Sequence, residues 1–176
     1  MNLKQYLIES ERTCKPLDSL HNNIIHMLLG MGGEFLQEFI PAAKNVVLSK
    51  KGAEIDIIDE GGDVLWYLAG YCRFKDLKFE FLGTTPLDTL EYYIGYLLED
   101  YKKEMAYTKE SNIKKCQHCV SAILTHFNDV YNSLNINIED VLEKNIEKLK
   151  IRFPDKFESE LAIHKNLEEE KKIYNN

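Results

Sequence analysis

Residues 54–74 read EIDIIDEGGDVLWYLAGYCRF. Ile57, Ile58, Val64, Leu65, Leu68 and Cys72 recur across this stretch at helical spacing. It therefore predicts one helix with an inward apolar face, starting after a turn at Lys50-Lys51-Gly52 and reaching about Phe74. Upstream, Asp18 or Ser19 is placed to cap another long helix reaching about Ala43. Its stripe is Leu20, Ile24, Met27, Leu28, Met31, Phe35 and Phe39. The connection between the two helices is short, which predicts antiparallel packing.

The same periodicity extends in both directions. A short helix is expected over Leu3 to Glu11, ended by Lys15-Pro16. Residues 75–86 look irregular. Helical spacing then resumes from Asp88 to about Lys103 and from Ile113 to about Leu134. A further helix from Ile138 to Arg152 is stopped at Phe153-Pro154, because proline cannot continue a helix and disfavours it in the residue before. The tail from Glu158 to Tyr174 is helical in pattern but strongly charged, and is expected on the surface or against a partner chain. The fold class is all-α: an antiparallel helical bundle in one domain over residues 1–176, with residues 75–135 forming an inserted helical hairpin.

With a formal net charge of −7, the chain lacks the basic surface needed for sequence-independent binding of nucleic acid. No apolar run approaches signal-peptide or membrane-span length, so a cytoplasmic protein without a membrane partner is expected. Cys14, Cys72, Cys116 and Cys119 are too few to indicate a disulfide framework.

Two acidic clusters carry the chemical signal. Glu34 and Glu38 stand four residues apart on the first long helix, Glu60 and Asp63 three apart on the second. Each pair shares a helical face, and two such pairs facing across a helix packing repel unless a cation lies between them. Oxygen donors alone favour magnesium, with manganese as a substitute. Acidic pairs on helices ordinarily face solvent, but glycines crowd both clusters, at 30, 32 and 33 and at 61 and 62. Close backbone approach around a ligand would account for their cost to the helix. Farther on, Asn145, Lys148 and Arg152 share one helical face and offer an amide and two cations to a polyphosphate.

These residues resemble the MazG-like all-α nucleoside triphosphate pyrophosphohydrolases. The family carries an acidic E-x-x-E pair, a segment like DE-x-GDVLWYLA, and a later N-x-x-K-L-x-x-R-[FY]-P-x-x-F element. Here residues 59–69 read DEGGDVLWYLA and residues 145–157 read NIEKLKIRFPDKF. The first motif departs: Glu34 is followed by Gln37 at the third position and Glu38 at the fourth, and either could complete it. The resemblance covers roughly residues 18–74 and 136–170.

It implies magnesium-dependent hydrolysis of a nucleoside triphosphate to the monophosphate and pyrophosphate by a metal-activated water. Glu34, Glu38, Glu60 and Asp63 would be the metal ligands, one unliganded carboxylate serving as base. Lys148, expected on an accessible face, and Arg152 would bind phosphates, and Asn145 would orient the nucleotide or a ligand carboxylate. A dUTP- or dCTP-specific hydrolase and a non-catalytic helical module are the competing readings. A homodimer or higher homo-oligomer is expected, because the Tyr-rich helix and charged tail exceed what one small bundle can cover, and the resemblance points the same way.

Other clusters read as structural. Cys116-Gln117-His118-Cys119 lacks a second ligand pair for zinc. His21 and His26 occur without any Glu-x-x-His, which argues against a di-iron bundle. Tyr92, Tyr93, Tyr96 and Tyr101 at helical spacing read as core or subunit interface rather than as a base platform.

Overall fold

A computed structural model describes residues 1–163 and 167–175. Helix α1 (Leu3–Glu9) continues as a 3-10 turn over Ser10–Thr13. Helix α2 (Leu20–Glu34) passes through a π turn (Phe35–Phe39) into α3 (Ile40–Val47), and α4 (Ala53–Lys75) returns alongside. Helices α5 (Leu90–Tyr107) and α6 (Ile113–Ser133) form a hairpin, followed by α7 (Ile138–Arg152). The tail holds α8 (Ser159–Ile163), α9 (Leu167–Lys172) and a 3-10 turn over Ile173–Asn175. The all-α class holds, with no strand among the described residues. Residues 164–166 of the expected tail helix lie outside the described residues.

Local chemistry sets the boundaries. Ser19 begins α2 by accepting from the Asn22 amide, and Thr89 does the same for α5 with Tyr92. Gly52, at φ 83°, makes the left-handed turn into α4. The α2–α3 helix runs four residues beyond the expected end at Ala43. Pro41 does not break it: proline has no N–H to give and its ring presses on the carbonyl four residues back. The π turn just before it absorbs the mismatch, with the Ile40 amide donating to the Phe35 carbonyl five residues earlier.

Helix α4 is the centre of the bundle, packed on α2 and α3 along one side and on α7, α1 and α6 around the rest. The α2–α4 pair is antiparallel, Met27 meeting Gly70 and Gly30 meeting Tyr67. All of the expected stripe of α2 is buried except Leu20, which is 59% exposed. The expected α5–α6 hairpin is present, but its apolar residues join the same core as α2 and α4. The irregular stretch before it is fastened to α6: Gln117 bonds both backbone groups of Lys78, and Thr125 accepts from the Leu82 amide. Cys116 and Cys119 are buried in that core, as expected of packing residues. Tyr93 and Tyr101 are buried as well.

The glycines of α4 serve packing between helices, not the approach of a ligand. A Cβ on Gly61 would lie 1.8 Å from the Tyr131 hydroxyl, and one on Gly62 would lie 3.0 Å from Asn145 Cβ. Gly33, by contrast, faces open space on α2. Gly61→Ala should therefore destabilise the chain by about 1–3 kcal/mol through overpacking. Gly33→Ala should stabilise it by about 0.5–1 kcal/mol by favouring the helix. Urea unfolding of the two variants checks the opposite signs.

Candidate functional site

The antiparallel register brings the ends of the two acidic motifs together. Carboxylate oxygens of Glu34 from α2 and of Glu60 and Asp63 from α4 all lie within 4.8 Å of one another, each residue partly exposed. Glu38 is not in this group. It sits in the π turn and is exposed, as is Gln37, although its charge still reaches Glu60. The two candidates for completing the first motif thus both lie at the rim.

Helix α7 presents Asn145 and Lys148 to the cluster from inside the protein. Lys148 differs from its expected accessible position: its side chain is 3% exposed. Its Nζ donates to Asp63 Oδ1 at 2.6 Å and also to Asp59 Oδ1. Burial alone would lower its pKa, but Asp63 and Asp59 outweigh burial and hold it at about 12. In this arrangement Lys148 is the counter-charge of the acidic helix and does not line the adjoining cavity. Asn145 is 1% exposed and gives its Nδ2 to Asp63 Oδ1 at 2.8 Å, so it meets a carboxylate of the cluster from within the core. Both donors take Oδ1, and neither uses Oδ2.

Among the described residues, neither Asn145 nor Lys148 donates to Glu60. Burial first, then Asp59 and Asp63, raise its pKa from 4.5 to about 7, with Lys148 opposing. The residues present fit a hard divalent cation: three carboxylates from two rigid helices, oxygen donors only, and one ligand stiffened by buried partners.

Beside the acids lies a cavity of about 320 Å³, bordered by Glu34, Asp63, His26, Trp66, Tyr67 and Arg152 among others. Its walls include the rings of Phe153 and Phe157, which pack against each other 5.1 Å apart. The mixture of aromatic faces, a carboxylate edge and Arg152 and Lys15 at the border suits a flat heterocycle carrying an anionic chain. Trp66 is held by a 3.0 Å bond from its indole nitrogen to Thr13. The tyrosines of α5 are not at this cavity.

Arg152 borders the cavity, and the tail also binds it. Glu170, 4% exposed, accepts from Arg152 Nε at 2.9 Å and from its NH2 group. Tyr174, one turn on, donates to Asp59 Oδ1 at 2.7 Å. The tail therefore packs on its own chain. Sequence reasoning missed Asp59, Tyr6, Glu170 and Tyr174 as participants; Asp59 alone carried a signal, standing one turn before Asp63 inside the quoted motif.

Comparison with models of protein families, with curated proteins and with solved structures found no match.

Two outcomes are expected from this geometry. In the unfolded chain Glu60 titrates near its ordinary value, in the folded one near 7, so between these values the folded state holds the extra proton and stability falls as pH rises from about 4.5 to 7. Lys148 is protonated in both states over that range; its contribution is complete below 10.5 and is lost as pH rises through about 12. Urea unfolding in EDTA should show the Glu60 slope, Glu60→Gln should abolish it, and Mn²⁺ affinity should rise with pH up to about 7 and then level off. Glu170→Gln should release Arg152 and tighten binding of inorganic pyrophosphate in a calorimetric titration; weaker binding would instead make Glu170 a support for Arg152.

Proposed function

We propose that the chain is a magnesium-dependent nucleoside triphosphate pyrophosphohydrolase of the MazG-like kind, releasing the monophosphate and pyrophosphate. The observation that carries this reading is the convergence of Glu34, Glu60 and Asp63 beside a cavity bordered by Arg152 and aromatic rings. The motif order along the chain supports it, since residues 59–69 supply Glu60 and Asp63 and residues 145–157 supply the groups that hold Asp63.

In this reading Glu34, Glu60 and Asp63 hold the ion, and Glu38 contributes charge from the rim. A bound magnesium ion offsets charge on phosphate oxygens and makes a coordinated water more acidic. Asn145 and Lys148 both hold Asp63 by Oδ1 and so keep its carboxylate in one orientation, with Oδ2 left for the ion. A carboxylate of the cluster that the ion leaves unliganded is the candidate base for that water. Arg152 receives phosphate oxygens once Glu170 yields, and Trp66, Tyr67, Phe153 and Phe157 offer faces to the base. Lys148 acts through the acids instead of touching the substrate.

Self-association belongs to the same reading. It is supported by Leu36, Val47 and Leu48, exposed along α2 to α3 beside an apolar groove that Phe35, Phe39 and Leu90 help line. No helix among the described residues is long and apolar enough to cross a membrane.

Incubation with a panel of ribo- and deoxynucleoside triphosphates and magnesium should yield monophosphate and pyrophosphate, and exhaustive chelation should stop it. Diphosphate with orthophosphate would contradict the reading, and no turnover by a folded chain that binds Mn²⁺ would favour a non-catalytic module. Asp63→Asn should lower kcat by on the order of 100-fold. Light scattering at micromolar concentration should return at least a dimer mass.

A further inference from the structure

Tyr6 lies on α1, outside both stretches that resemble the family, and is 0% exposed. Its hydroxyl lies 2.9 Å from Asn145 Oδ1 and 3.4 Å from the Gly62 carbonyl. On the far side of the same amide, Asn145 Nδ2 reaches Asp63 Oδ1. The direction of the chain follows from chemistry. A carboxylate only accepts, so the amide must turn its NH2 to Asp63, which turns its carbonyl to Tyr6. An amide carbonyl also only accepts, so the Tyr6 proton must point to it. The Gly62 carbonyl, farther away, is the lesser acceptor.

We propose that Tyr6 is a positioning residue for Asp63, acting through Asn145: its hydroxyl proton fixes which way the buried amide faces, and thereby which oxygen of Asp63 is left for the ion. The inference rests on the metal-site reading above. Without the hydroxyl, the Asn145 carbonyl is buried and unpaired. It then either stays so, its NH2 still on Asp63 but no longer held there from behind, or the amide rotates, sets its oxygen against the Asp63 carboxylate and takes the donor away. Loss of a partner one step removed from a ligand, as Asn145 is, typically shifts metal affinity about 10- to 100-fold, and Tyr6 stands one step behind it. The adjacent Lys148–Asp63 ion pair survives the change and limits the effect to the lower end.

Tyr131 supplies an internal control. It is equally buried, and its hydroxyl donates to the Ile57 carbonyl of the same helix α4 at 3.2 Å, without touching a carboxylate. Mn²⁺ binding to the full chain, followed by electron paramagnetic resonance, should weaken about tenfold in Tyr6→Phe and stay unchanged in Tyr131→Phe. Asn145→Ala, which breaks the chain at its middle, should weaken binding at least as much. Tyr6→Phe added to Asn145→Ala should weaken it no further. In turnover, Tyr6→Phe should lower kcat at fixed Mg²⁺ with KM unmoved. An equal shift in Tyr131→Phe, additive losses in the double variant, or unchanged Mn²⁺ affinity in Asn145→Ala would overturn the proposal, the last even if Tyr6→Phe does not fold. Absence of Mn²⁺ binding by the unsubstituted chain would overturn the proposed function together with this inference.

Discussion

Glu34, Glu60 and Asp63 crowd together where α2 packs against α4, and Lys148 meets Asp63 and the neighbouring Asp59 from within the core. Bringing several carboxylates this close costs free energy in any folded chain, and burying an ammonium group costs more unless it is paired. Each problem offsets the other. The ion pairs of Lys148 with Asp59 and Asp63 join the buried Val141, Leu142 and Ile146 in placing α7, and α7 in turn brings Asn145 to Asp63 and Arg152 to the cavity. Helix α1 enters through Tyr6 and the tail through Tyr174, each ending on the same few polar atoms. Much of the bundle around α4 is thus arranged to surround a charge problem that packing alone would avoid.

Pattern revealed the helices well, because burial of an apolar stripe leaves a period in the sequence. Ile24, Met27, Leu28, Met31 and Phe35 on α2 and Val64, Leu65 and Leu68 on α4 are all buried where the spacing put them. The placement of the acids followed from the same period once the two helices were taken as antiparallel. Lys148 was misjudged for a physical reason: charge on a helix reads as solvation. Yet Val141, Asn145, Lys148 and Arg152 follow one another at intervals of four, three and four, and Val141 is buried. The stripe, weighed by geometry and not by polarity, pointed inward.

The remaining misses are contacts between segments distant in sequence, which periodicity cannot reach. Nothing local to Tyr6 distinguishes its hydroxyl from that of any other buried tyrosine; its partner is more than a hundred residues away. The tail was similar. Its charge density suggested solvent or another subunit, whereas Glu170 is buried against Arg152 because two opposite charges were available to each other. The glycines misled in the opposite way, since the space they leave on α4 is filled by Tyr131 and Asn145.

The π turn at Phe35–Phe39 carries a consequence for how this sequence should be set beside others. Such a turn is in effect one residue inserted into a helix, and each residue of an ordinary helix advances about 100° around the axis. A related chain with a plain α-turn here would be one residue shorter without any loop having changed. Forced into ungapped register with it, Gln37 falls where the pattern wants an acid, and every position of α3 is offset by one. An alignment should therefore open its gap inside the helix, between Glu34 and Glu38, a place where gaps are normally forbidden.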